Sequence, residues 1–129
     1  MVVDTSALVA ILKAEPEAAT VLAKLAAATG CRLSAANVVE AGLIANRDPT
    51  GAHREALEDP LREFDIRSEP VSERQARLAL DAFRRYSKGT GHPAGLNYGD
   101  CLAYAPAADT GEPLLFKGDD VLRTDLAPA

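Results

Sequence analysis

Five acidic residues sit where carboxylates are hard to explain as ordinary surface. Asp4 closes the apolar opening Met1-Val2-Val3. Glu40 has Ala36, Asn37, Leu43 and Ile44 three and four positions away, the spacing that shares one face of a helix. Asp100 is surrounded in the same way by Leu96, Ala103, Tyr104 and Ala107. Asp119 and Asp120 follow Leu114–Phe116 and the turn residue Gly118. An unpaired charge on a core-facing stripe is costly, so it needs a partner or a metal. One such acid reads as a structural oddity, and Asp4 alone reads as a simple helix N-cap. Two acids on apolar stripes plus a strand-end Asp are better explained as a cluster. Carboxylates gathered closely cannot all stay ionised without a counter-charge. With no histidine or cysteine in the set, the counter-charge expected is a hard, oxygen-loving Mg²⁺, with Mn²⁺ as a substitute. Such ions serve phosphate chemistry by activating water and stabilising charge on a leaving oxygen, which points to phosphodiester cleavage.

The elements that must position these acids follow from periodicity and punctuation. Met1–Asp4 reads as a buried strand, followed by a helix capped by Thr5 or Ser6 and running through Leu8 and Leu12. Glu15-Pro16 opens a second helix that Thr29-Gly30 ends. Cys31–Leu33 is a second strand, and Ser34 caps a helix to about Asn46. After the break at Asp48-Pro49 comes a polar helical segment interrupted near Asp59-Pro60, then a strand over Phe64–Pro70. Ser72 and Gln75 form a capping box for a helix with Ala76, Ala79, Leu80 and Phe83 on one face. Lys88–Gly95 holds three glycines and a proline and must be a loop. A helix runs from about Asn97 to Asp109 with Gly111 closing it, and Leu114–Phe116 is the last strand. Gly118 then lets the chain turn, with Asp119 expected as N-cap of Asp120–Arg123, which leaves Asp120 free to join the other acids. Strands alternating with helices favour a mostly parallel sheet with helices on both faces. Acids that follow such strands lie at the edge where open α/β sheets place their ligand crevice.

A chain of 129 residues fits one domain over positions 1–129, and 47% apolar residues suffice for its core. No apolar run approaches the roughly 20 residues that cross a bilayer, and the start lacks a signal-peptide pattern, so a cytoplasmic protein is expected. Cys31 and Cys101 are far apart and form no CxxC, so they read as small buried thiols. The net charge of −5 opposes a nucleic-acid partner only in part, because a metal partly neutralises an acid cluster and positive charge can be local. Arg84, Arg85 and Lys88 are the local basic group, to be read either as RNA contacts or as a solvated helix face.

Val2-Val3-Asp4-Thr5-Ser6-Ala7-Leu8 resembles the opening of the PIN domains of VapC toxins from bacterial toxin–antitoxin pairs. Ser34-Ala35 through Val39-Glu40 looks like the second acidic element of that family, and Gly91–Ala94 with Leu96–Cys101 is similar to its most specific stretch. Leu114–Asp120 with Thr124-Asp125 resembles its closing element, so the likeness covers nearly the whole chain. The resemblance implies a three-layer PIN-like fold and a Mg²⁺-dependent endoribonuclease toxin, a homodimer inhibited by a cognate antitoxin at its active site. It implies Asp4 and Asp100 as metal ligands, Glu40 as ligand or water-orienting base, and an acid of the Asp119-Asp120 pair as fourth member. In the family the second of those two positions is the steadier acid, which favours Asp120 with Asp119 in support. Two departures stand out: Pro106 inside the helix carrying Asp100, where a kink is expected, and Val121 where the family usually has Phe, which weakens local packing.

Three other readings compete. A phosphoacceptor receiver domain would suit Lys117 after the last strand, but it needs an acidic pair after the first strand and an acceptor Asp after a middle one. A PIN-like binding module without catalysis would not need every acid. Cys101 as a nucleophile would need an imidazole, and His53 and His92 lie in no recognisable motif.

Overall fold

The computed structural model describes residues 1–129. Four short strands, β1 (Val2–Val3), β2 (Cys31–Ser34), β3 (Ile66–Glu69) and β4 (Leu114–Leu115), form one sheet in the order β3-β2-β1-β4, and every pairing is parallel. The register sets Val2 beside Arg32 and Leu114, and Val3 beside Leu115. Because side chains alternate along a strand, each strand feeds both faces of the sheet. Val3, Cys31, Leu33, Ile66 and Leu115 join a core with α1 (Thr5–Leu12), α2 (Ala18–Ala27) and α3 (Ala35–Ala45). Val2 and Leu114 point the other way, onto Ala103 and Ala107 of α7 (Tyr98–Thr110), with Val121 closing that cluster. Val121 is thus buried. Outside α7 lies α6 (Glu73–Tyr86), which packs Ala79, Ala82 and Tyr86 against Cys101, Leu102 and Tyr104. The result is the three-layer α/β arrangement expected from the sequence, with an all-parallel sheet.

Several local expectations need correction. The second helix starts at Ala18, after a turn entered through Ala14, whose φ is +49°. The polar segment divides into α4 (Ala52–Ala56) and α5 (Glu58–Glu63), with the break at Leu57. Pro60 does not interrupt it, because a proline in the first turn of a helix has no intrahelical bond to lose. On α6 the core face is Gln75, Ala79, Ala82 and Tyr86, while Leu80 and Phe83 are about half exposed. Both stripes have helical spacing, and α7 takes the one that ends on Tyr86. Helix α7 runs on through Pro106 for another turn, and Thr110 donates its hydroxyl to the Pro106 carbonyl at 2.9 Å. Residues 88–95 contain a 3-10 turn, Lys88–Thr90, and their ends are pinned by Leu96 donating its N–H to the Tyr86 carbonyl at 2.8 Å.

Candidate active site

Helices α1 and α3 follow strands of the parallel sheet and α7 leads back into β4, so all three begin at the carboxyl edge. Asp4 is the N-cap of α1, a role expected of Thr5 or Ser6. Its Oδ2 accepts the Ser6 N–H at 2.9 Å and also the Ser6 hydroxyl, while the Ser6 Oγ accepts the N–H of Lys117 at 2.9 Å. Ser6 therefore ties the end of β1 to the turn after β4. The carboxylate is 4% exposed, and its Oδ1 is buried with no hydrogen-bond partner. Burial pushes the Asp4 carboxyl up to about 6; the bonds from Ser6 oppose this, and the negative charges of Asp100 and Glu40 add to it.

Glu40 is half-buried, and the face expected for it is not the core face of α3. Asn37, Ala41 and Ala45 are buried there, whereas Leu43 and Val39 are each 62% exposed. The helix packs along a ridge of four-residue steps, which leaves Glu40 on its flank beside the start of α7. Glu40 Oε2 accepts from Thr5 Oγ1 at 2.6 Å and from Asn37 Nδ2 at 3.2 Å.

Asp100 also differs from expectation. It occupies the third position of α7 and completes a capping box: Asn97 Oδ1 accepts the Asp100 N–H at 3.0 Å, and Asp100 Oδ2 accepts the Asn97 N–H at 2.8 Å. Its neighbours Leu96, Ala103, Tyr104 and Ala107 are in the core, but Asp100 itself is half-buried at the rim. Burial raises its carboxyl above the ordinary value, the Asn97 bond opposes this, and Asp120 and Glu40 raise it further; Lys88 acts the other way. Asp120 is therefore within electrostatic reach of Asp100. The expected cap at Asp119 is absent: Asp120 itself precedes the 3-10 turn Val121–Arg123, in helical conformation and without a capping bond. Both acids are exposed, and Gly118, at φ +97°, makes the turn that presents them.

Asp4, Glu40 and Asp100 share one design. Each uses one oxygen to anchor itself to the scaffold, and the other makes no hydrogen bond to the protein. No three acidic, histidine or cysteine side chains close into a ready-made cage. Mg²⁺ does not need one, since it keeps several waters and is commonly held by one or two carboxylates. The buried, unpartnered Asp4 Oδ1 and the all-oxygen donor set fit such an ion. Signals for the anchors were present in the sequence: Asn97-x-x-Asp100 has capping-box spacing, and Ser6 follows Asp4 by two positions. Asn37 was placed only as a helix neighbour, although an Asn one turn before a buried Glu is a hydrogen-bond donor in reach.

The basic group divides. Arg85 is engaged by Asp125 at 2.9 Å and lies over the Tyr86 ring, 4.5 Å from its centroid. Arg84 and Lys88 are exposed and make no ion pair. Cys101 is buried and its thiol is pushed up to about 11 by burial and by Asp100, which is the wrong direction for a nucleophile. No acidic pair follows β1, as a receiver domain requires.

Comparison with known proteins agrees with this geometry. Residues 1–126 match the PIN domain family. Ribonuclease VapC28 of Mycobacterium tuberculosis is 49% identical over 131 residues, spanning 100% of this chain and 97% of the relative. Ribonuclease VapC42 of the same organism is 44% identical over 129 residues, spanning 100% and 98%. The crystal structure of Mycobacterium tuberculosis VapC20, described as a toxin that cleaves the sarcin-ricin loop, superposes with a TM-score of 0.79 over 99% of this chain and 97% of that one, at 16% identity. The fold, the full-length matches and the acids at the sheet edge agree, and the chain belongs to the PIN-domain family, among the VapC ribonucleases.

Proposed function

We propose that this protein is a metal-dependent endoribonuclease, the toxin of a toxin–antitoxin pair, with Asp4, Glu40, Asp100 and Asp120 as its catalytic acids and Asp119 in support. The observation that carries the reading is the buried Asp4 Oδ1, which has no partner in the protein although its sister oxygen has two. Leaving an acceptor bare costs about 1–3 kcal/mol and is retained where something else fills it. Asp4 and Asp100 would hold a Mg²⁺ or Mn²⁺ ion through their free oxygens. Bound there, the ion supplies Lewis acidity toward a phosphoryl oxygen and makes water easier to deprotonate. Glu40 Oε1 takes the proton of the attacking water. The water oxygen bonds to phosphorus as the bond from phosphorus to the 3′ oxygen breaks; the 3′ oxygen leaves with the bonding pair and takes a proton from solvent water, which gives a 5′-phosphate and a 3′-hydroxyl. Asp120, within electrostatic reach of Asp100, adds negative charge to the side that would hold the cation. Arg84 and Lys88 contact the RNA backbone, and Arg85 contributes by steadying the same helix end.

Protein partners are proposed from the surface beside Glu40. Val39, Leu43 and Tyr98, with Ala36 and Leu102, line a hollow of about 260 Å³ that ends on Glu40. Tyr98, Ala36 and Leu102 also line an all-apolar groove of about 430 Å³ with Leu80 and Phe83 on its far wall. An antitoxin helix fits this apolar strip, with an Arg reaching the carboxylates in a bidentate way. A homodimer would cover further apolar surface. No helix of the chain is long and apolar enough to cross a membrane.

The test is cleavage of total RNA by the purified protein with Mg²⁺ or with chelator, followed by mapping of the cut ends. Metal-dependent products with 5′-phosphates support the proposal. Ends carrying 2′,3′-cyclic phosphate, or cleavage indifferent to chelator, overturn this mechanism, and no cleavage with an intact fold would favour a PIN-like binding module.

A further inference from the structure

Glu40 sits on a flexible side chain at a half-exposed position, and nothing about α3 alone would hold its carboxylate in one place. Three neighbours do. Asn37 is 0% exposed, and its Nδ2 lies 3.1 Å from Thr5 Oγ1, 3.2 Å from Glu40 Oε2 and 3.1 Å from the Gly99 carbonyl, so a single amide joins α1, α3 and α7. Its Oδ1 is buried with no partner. Turning the amide over would only set that oxygen against a carboxylate, a carbonyl and a hydroxyl oxygen. A bare buried acceptor costs stability, and an apolar side chain of similar size would avoid the cost. The residue is therefore explained by what its nitrogen holds. Gly99 supplies the third restraint. A Cβ at this position would overlap both oxygens and the Cδ of Glu40, well inside van der Waals contact. Its φ is not in the left-handed region, so backbone strain does not call for glycine here. The carboxylate fills the space where a side chain would be, against the first turn of α7, where the helix dipole favours negative charge.

We infer that Asn37 and Gly99 are positioning residues for Glu40: the amide fixes Oε2, the absent side chain admits the carboxylate, and Oε1 is left as the working oxygen. This deepens the proposed ribonuclease reading and rests on it for the role of Oε1, but the positioning can be tested without activity.

The experiment is a double-mutant cycle read by thermal melting in chelator. Gly99→Ala should raise the melting temperature in a Glu40→Ala background, where only the helix-propensity gain of alanine over glycine remains. It should fail to raise it with Glu40 present, because the displaced carboxylate loses its bonds to Thr5 and Asn37. Equal changes in both backgrounds overturn the inference. The second arm is Asn37→Leu, which keeps the packing volume. It should melt no lower than wild type, while kcat for RNA cleavage falls about tenfold or more and KM changes less than about twofold. A lower melting temperature with unchanged kcat would make Asn37 structural and overturn its part. If the protein cleaves no RNA at all, the ribonuclease reading fails, and the Gly99–Glu40 cycle still decides the positioning.

Discussion

Two carboxylate neighbourhoods in this molecule are built to opposite rules. Asp125, in the C-terminal segment, has both oxygens satisfied: Tyr104 donates its hydroxyl to Oδ1 at 2.8 Å, and Arg85 donates to Oδ2 at 2.9 Å. Burial alone would raise its carboxyl, but those bonds and the Arg85 charge hold it below the ordinary value. At the carboxyl edge of the sheet, Asp4, Glu40 and Asp100 stand together with no arginine or lysine paired to any of them. The same fold that satisfies both oxygens of one acid leaves three others half-satisfied, and on the proposed reading this separates an acid that fastens a chain segment from acids that would hold a cation.

Neutralising an acid should therefore have opposite effects at the two places. Asp4→Asn keeps the N-cap, since Asn caps about as well as Asp. It should reduce cleavage by about 10²–10³-fold, as loss of a charge that stabilises the transition state does, and metal-free protein should melt no lower than wild type. Asp100→Asn should behave alike. If either variant melted clearly lower without metal, that acid would belong with Asp125 as a fastener.

The second contrast is in pH. The folded-state value of Asp4 is raised from 3.8 to about 6, so between those values the folded protein binds the proton that the unfolded chain releases. Stability from this group is therefore greatest below about pH 4, falls as pH rises to about 6, and is level above. The difference is on the order of 3 kcal/mol. Denaturant unfolding in chelator at pH 5 and pH 7, for wild type against Asp4→Asn, isolates it. A wild type that gains stability over this interval relative to the variant would contradict the assignment.

How much of this was legible before folding depends on the kind of signal. The sheet, its parallel order and the acids at its edge were readable, because strand-end position and acid type are local properties. The anchoring of Glu40 was not, since it depends on Thr5, Asn37 and Gly99 meeting from three helices. The exposed stripes misled for a related reason. Leu80, Phe83, Leu43 and Val39 have core-like spacing, and only tertiary packing decides that α7 takes the other face of α6 and that α3 buries its Asn37–Ala41–Ala45 ridge. Asp119 and Asp120 were indistinguishable by composition, and the capping argument for Asp119 failed because the turn starts one residue later than expected, at Val121, with Asp120 before it.

That pair gives a smaller test of the comparison. Asp120 acts on Asp100 electrostatically, so Asp120→Asn should lower cleavage about tenfold, a loss of about 1.4 kcal/mol in the barrier. Asp119→Asn should stay within about twofold. The reverse order would move the fourth acid to Asp119. Smaller still, Asp125→Asn should leave the cleavage mechanism alone and cost about 1 kcal/mol of stability, because Arg85 and Tyr104 lose a charged acceptor at a half-exposed site. Unfolding curves measure it, and a melting temperature above that of wild type would erase the contrast between the two neighbourhoods.

The most direct measurement is the melting temperature of wild type and Asp4→Asn at pH 7, titrated with Mg²⁺ or Mn²⁺. A cation that binds only the folded state stabilises it in proportion to the logarithm of its concentration over Kd. Wild type should rise steadily through the millimolar range, and Asp4→Asn should lose most of that rise. Identical curves for the two proteins, or no response in wild type, would contradict the claim that these carboxylates are held open for a metal ion.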